Sequence, residues 1–231
     1  MRYVLCIPLL CLAALVLVPE TAHAQYKNSE FGLDIGPWLL TKPSILDDNN
    51  EPLPLSDRPL RFDYGVRIGG ESSFKMNSDH WWFNVRLGVG VFDFGGDANG
   101  DAEDQFDALA ADTLGTILGI EGQMGVRYVI ATDRVRPYVQ LSLSYMRLFS
   151  FAGQAGDTCA DNLFCQGGTV TNEDAFLPTN NVSALHVQPG LELILQRDIA
   201  LHVYIDVQRW VRFNGPDNWA PVFGVGVNFF S

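Results

Sequence analysis

Past its N-terminal segment the chain has no long apolar run. No later stretch reaches the roughly 18 consecutive apolar residues that mark a membrane-spanning helix, so a helical membrane bundle is excluded. Basic residues are scarce. The 231 residues hold 15 Lys+Arg against 27 Asp+Glu, a net charge of -12. Such a chain has no electrostatic footprint for nucleic acid. Cysteine is scarcer still, with 4 in the whole chain. Cys6 and Cys11 belong to the N-terminal segment, which leaves Cys159 and Cys165. Residues 150–182 contain no His to complete a metal site around that pair. In an exported protein an isolated pair reads as a disulfide. Nothing in the sequence calls for a cofactor.

What is present begins with an export signal. Arg2 gives a basic start, Val4 to Val18 an apolar middle, and Ala22-His23-Ala24 the small residues of a cleavage site. Residues 1–24 are expected to be removed, leaving 25–231 as one domain. That domain alternates. Eight stretches carry the period-two pattern of strands, at about 30–41, 60–69, 80–94, 115–130, 135–149, 183–196, 198–210 and 219–230. In the third, Phe83, Val85, Leu87, Val89 and Val91 oppose Asn84, Arg86, Gly88 and Gly90. A soluble sandwich turns such an apolar face inward; a membrane barrel turns it to lipid and keeps the polar face inside.

The connections favour the barrel. Residues 70–79, 131–134 and 197–198 are short turns, and they alternate with the mostly longer segments 42–59, 95–113, 150–182 and 211–218. Bacterial barrels alternate periplasmic turns and extracellular loops in this way. An even strand number then puts both termini in the periplasm. The long loops 42–59, 95–113 and 150–182 together carry the whole net charge, so the strands and turns balance. Trp38, Trp81, Trp82, Trp210 and Trp219 all fall near strand ends, where an aromatic belt meets the membrane interface.

On these patterns the chain resembles the small eight-stranded outer-membrane barrels, those similar to the OmpA transmembrane domain, OmpX and OmpW. The resemblance covers residues 30–230. The closing strand, Val222-Phe223-Gly224-Val225-Gly226-Val227-Asn228-Phe229-Phe230, ends on aromatics as the assembly signal of that family does, but Ser231 follows them. The resemblance implies an all-β, closed antiparallel eight-stranded transmembrane β-barrel in the outer membrane of a Gram-negative bacterium. Its implied partners are outer-membrane lipid, lipopolysaccharide and other envelope proteins.

The polar face gathers Asp34, Arg61, Asp63, Arg67, Arg86, Glu121, Arg127, Glu192 and Asp206. Eight strands leave an interior just filled by side chains, so these charges form either a salt-bridged plug or a gated ion path. His202 and Asp206 share a face, and His186 with Ser142 or Ser144 lies on other inward faces, but no nucleophile motif accompanies them. Asp97, Asn99 and Asp101 alternate like the start of a calcium loop. Ala102 then replaces the turn glycine, and Ala108 stands in the place of the closing acid. The leading expectation is a non-catalytic barrel whose loops meet partners, as in an envelope-spanning assembly for surface motility, adhesion or secretion. The alternatives are a narrow channel for small or hydrophobic molecules and a lipid-modifying enzyme.

Overall fold

The computed structural model describes residues 28–54, 57–97, 99–150, 177, 180–211 and 218–231. The signal segment, Cys159 and Cys165 lie outside them. The strands are β1 Ser29–Trp38, β2 Tyr64–Lys75, β3 Trp81–Asp93, β4 Ile117–Val129, β5 Val135–Ser150, β6 Asn181–Gln196 and β7 Ile199–Val211. An eighth, β8, runs in two pieces, Asn218–Trp219 and Val222–Phe230, broken at Ala220-Pro221. Pro221 has no N–H to give a ladder. Each strand pairs antiparallel with the next, and β8 pairs with both β7 and β1. The sheet therefore closes into an eight-stranded barrel with no free edge.

Side chains alternate strictly across the wall. On β3 every second residue from Trp82 to Phe92 is buried, while the residues between are exposed. The outward face is apolar from strand to strand, with Leu33, Ile68, Leu87, Met124, Leu143 and Leu185 all exposed. Leu87 is 70% exposed and Leu143 63%. A protein surrounded by water does not leave a continuous apolar band of this kind uncovered; a barrel in lipid requires it.

One end of the barrel carries the short turns 76–80, 130–134 and 197–198 together with the termini. Ser231 does not disturb the closing strand. Its N–H donates to the Ser29 carbonyl at 3.0 Å, and the two hydroxyls lie 2.6 Å apart. The other end carries the long loops.

Two sequence expectations are corrected here. The second strand is shifted: residues 60–63 lie outside it, and it continues through 70–75, which composition marked as a turn. Gly69-Gly70 and Ser72-Ser73 look like turn residues, yet each has a place in the ladder with β3. Gly69 faces inward because the Arg86 guanidinium crosses it; a Cβ there would sit 2.6 Å from Arg86 Nε. The segment 95–113 is not an open loop, because it holds a helix, α1, Ala102–Leu114. Asp101 caps it, its carboxylate accepting from the Glu103 and Asp104 N–H groups. Gly115 ends it at φ 60°, a left-handed conformation that glycine adopts without cost.

Inward glycines make room for large side chains from neighbouring strands. A Cβ at Gly224 would lie 2.0 Å from Tyr204 Cζ. Gly224→Val is therefore expected to lower barrel stability by about 1–3 kcal/mol through overpacking. Gly122→Ala, where the nearest atom to a new Cβ is Leu87 Cδ2 at 4.0 Å, should be near neutral. Urea unfolding in detergent micelles compares the two, and equal midpoints would refute the packing argument.

Candidate functional site

The barrel interior divides into levels. Towards the turn end, Arg127 on β4 pairs with Glu30 on β1 and Glu71 on β2. Its Nε donates to Gln140 at 3.1 Å, and its guanidinium lies 4.8 Å from the Tyr138 ring centroid. Gln140 in turn donates to Glu71 at 3.3 Å. Nearby, Glu192 accepts from Arg136 at 3.3 Å and from Asn228 at 2.6 Å.

At mid-barrel Arg86 pairs with Asp34. Tyr204 donates to Asp34 at 2.6 Å and accepts from both Arg67 and Arg86 at 3.1 Å. Arg67 reaches Asp206 at 3.0 Å and Glu121 at 3.6 Å. Every one of these charged groups is buried. Buried charges of opposite sign held at this spacing block a conduit as well as neutralising each other.

One chain of contacts has the form of a catalytic triad. His186 Nδ1 lies 3.0 Å from Asp206 Oδ2, and His186 Nε2 lies 2.7 Å from Ser144 Oγ. The sequence pairing of His202 with Asp206 is replaced by this one, since His202 stacks on Tyr204 instead. Form alone does not make a nucleophile. The strands bearing all three residues spend their backbone N–H groups on the ladder, which leaves no backbone pair to stabilise an oxyanion. Asp206 is further committed to Arg67 and Gln208.

Above these levels the loop end is sealed by a small hydrophobic core. Trp38, Phe92, Met146 and Trp210 rise from the strands to meet Ile45, Leu60 and Phe62 from the first loop and Phe106, Ala110 and Leu114 from α1. The Trp38 and Phe92 rings are 4.5 Å apart, and Phe62 stacks on Phe92 at 5.0 Å. Trp38 and Trp210 both donate to the Gln208 side-chain oxygen, at 3.1 and 2.9 Å.

A buried ion pair fastens the seal. Arg61 holds Asp107 of α1 with two bonds of 2.9 Å and also reaches Pro43 O at 2.6 Å and Glu103 at 3.2 Å. Lys42 bridges Asp63 at 2.7 Å and Asp107 at 3.3 Å. Burial opposes the charge on Lys42, but the two carboxylates outweigh it and hold the ammonium above the usual lysine range. The same balance of burial against Asp107 and Glu103 keeps Arg61 charged.

Several expected site residues change place. Arg61 and Asp63 belong to this cap and not to the lumen, because β2 starts only at Tyr64. Trp38, Trp82 and Trp210 point inward and are about 2% exposed or less, whereas Trp81 and Trp219 face outward at 47% and 51%. Asp97 and Asp101 do not converge on an ion. Asp97 accepts the Asn99 N–H, and Asp101 is occupied as the helix cap. No cluster with metal-ligand geometry occurs among the described residues. Glu30, Glu71 and Arg136 were not foreseen, although each shares the inward parity of its strand.

No family model matches this chain, and no curated protein sequence does. Solved structures do. Neisserial surface protein A superimposes with a TM-score of 0.53 at 10% identity, covering 88% of this chain and 97% of that one. OprG of Pseudomonas aeruginosa gives a TM-score of 0.48 at 12% identity, covering 90% of this chain and 99% of that one. The outer-membrane enzyme PagL gives 0.44 at 9% identity, covering 87% and 99%. At these identities the likeness to Neisserial surface protein A establishes the fold, that of the small eight-stranded outer-membrane barrels, and nothing about activity.

Proposed function

We propose that this protein is a closed, non-catalytic outer-membrane barrel that presents its folded loop end to partners in the cell envelope. The turn end with both termini faces the periplasm in this reading, after removal of residues 1–24. The observation that carries it is the double closure of the lumen: ion pairs across the interior and a hydrophobic seal above them. A barrel so filled serves as a scaffold, and recognition then falls to what stands on its rim. Residues 150–182, with the disulfide proposed between Cys159 and Cys165, contribute to that rim. Service as one subunit of an envelope-spanning assembly, for surface motility, adhesion or secretion, is the cellular role that fits such a scaffold.

The experiment is planar-bilayer recording of the purified protein. No conductance above background is expected. Stable steps that disappear in Arg86→Met would instead establish the narrow channel. The lipid-modifying enzyme is tested separately. A serine-directed fluorophosphonate is expected to leave the folded protein unlabelled, and labelling that is lost in Ser144→Ala would sink the non-catalytic reading.

A further inference from the structure

The outward wall of the barrel is almost free of charge. On the described strands only Asp93, Arg147 and Arg209 carry charge on the lipid-facing side. Asp93 sits at the end of β3 and accepts the Tyr64 hydroxyl at 2.8 Å. The two arginines are elsewhere, and they are together. Arg147 on β5 stands opposite Asn181 of β6, and Arg209 on β7 stands opposite Leu185 of the same strand. Both are exposed. Their chain neighbours Met146 and Trp210 belong to the same apolar seal, so both guanidiniums lie at the loop end, at the level of that seal.

That level is the rim of the lipid-facing band. Each guanidinium lies against an aromatic ring, Arg147 at 5.6 Å from the Phe149 centroid and Arg209 at 5.9 Å from that of Trp219. Between them Tyr145 donates to Asn181 at 2.5 Å. Immediately below, Leu143 pairs with Leu185 and Leu141 with Val187, and all four face outward and exposed. The surface thus has a cationic, hydrogen-bonding head above an apolar strip.

We infer that this face binds a phosphorylated glycolipid of the outer leaflet, its phosphate between Arg147 and Arg209 and its acyl chains along the strip of β5 and β6. Charge complementarity decides the occupant. Guanidinium forks match phosphate oxygens in geometry as well as charge. An arginine at the edge of a hydrocarbon layer reaches for the head groups. A soluble anion would leave the strip uncovered, and an uncharged lipid would leave the arginines without a counter-charge in the bilayer. The acidic loops make this choice of surface meaningful, because the remainder of the rim repels phosphate.

The inference rests on the outer-membrane reading, and the test separates the two. The full-length barrel is refolded in detergent, its folding is checked by heat-modifiable migration, and it is titrated with lipopolysaccharide, with enzymatically dephosphorylated lipopolysaccharide, and with inorganic phosphate. Binding of intact lipopolysaccharide is expected to weaken about thirtyfold when the phosphates are removed. A similar loss is expected in R147Q/R209Q. R147K/R209K should bind between the two, since charge remains and the fork is lost. Inorganic phosphate should not compete at equal concentration. Equal affinity for the two lipopolysaccharides, which needs no variant, overturns the proposal. So does competition by inorganic phosphate alone. A chain that never inserts or shows heat-modifiable migration refutes the outer-membrane reading as well, whereas a folded barrel indifferent to the phosphate refutes this proposal alone.

Discussion

Replacing Arg127 by Ala is expected to lower the unfolding free energy of the barrel by about 3–5 kcal/mol, the usual cost of stranding buried charges. Two carboxylates, Glu30 and Glu71, depend on that one guanidinium. Both are buried, and no second arginine pairs with either at ion-pair distance among the described residues. Removing the cation leaves two like charges facing each other with nothing between them. The Gln140 bond and the contact with the Tyr138 ring are lost in the same step.

The compensated variant separates charge from packing. Arg127→Met with Glu30→Gln and Glu71→Gln keeps volume and removes every stranded charge, so most of the loss should return. Urea unfolding in micelles, followed by tryptophan fluorescence and by heat-modifiable migration, reads both. A single substitution as mild as the triple one would mean that water already screens the pair. The interior would then be wetter than a salt-bridged plug, and the channel reading would gain.

Much of the barrel is legible in the sequence, because period two is a local signal. Seven of the eight strands fall within a few residues of the expected segments. The failure at β2 comes from treating Gly69-Gly70 and Ser72-Ser73 as punctuation. Those residues are small because Arg86 and the Glu71 network need the space, a cause that lies on other strands. Misplacing that turn hid Glu71 and drew Arg61 and Asp63 into the lumen. The tryptophans failed for a different reason. Proximity to a strand end was used where parity was the better guide. Trp38 shares parity with Asp34, Trp82 with Arg86, and Trp210 with Asp206, while Trp81 and Trp219 follow the apolar parity of their strands. Two adjacent residues such as Trp81 and Trp82 cannot both face lipid.

The parity of a strand shows which side a residue takes, but not its partner across the lumen. Asp206 meets His186 from β6 and Arg67 from β2, and only closure of the barrel sets those distances. The same limit explains the triad-like chain, whose three members come from β5, β6 and β7. The cap had a faint signal. Phe106, Ala110 and Leu114 recur at helical spacing behind Asp101, but the surrounding acids made the stretch look like a solvated loop.

That cap yields the second large effect. Phe106→Ala is expected to weaken docking of α1 by about 3–5 kcal/mol, the range for truncating a buried aromatic. Phe106 is buried among the residues that link loop and strand, and its neighbour Asp107 holds Arg61. The damage should stay local. The barrel ladder from β1 to β8 does not run through α1, so heat-modifiable migration should persist while amide exchange in Ala102–Leu114 rises steeply. Conductance should remain at background, since the Arg67–Asp206 and Arg86–Asp34 pairs still fill the lumen below. This is also a better test of the rim than excising residues 95–113, which would expose Phe62 and Phe92 along with the loss of the acidic surface. If the unfolding midpoint of the whole barrel falls in step with exchange in α1, cap and wall are one cooperative unit. In that case the loop end is part of the scaffold itself, and the partner surface must be sought in the loops beyond α1.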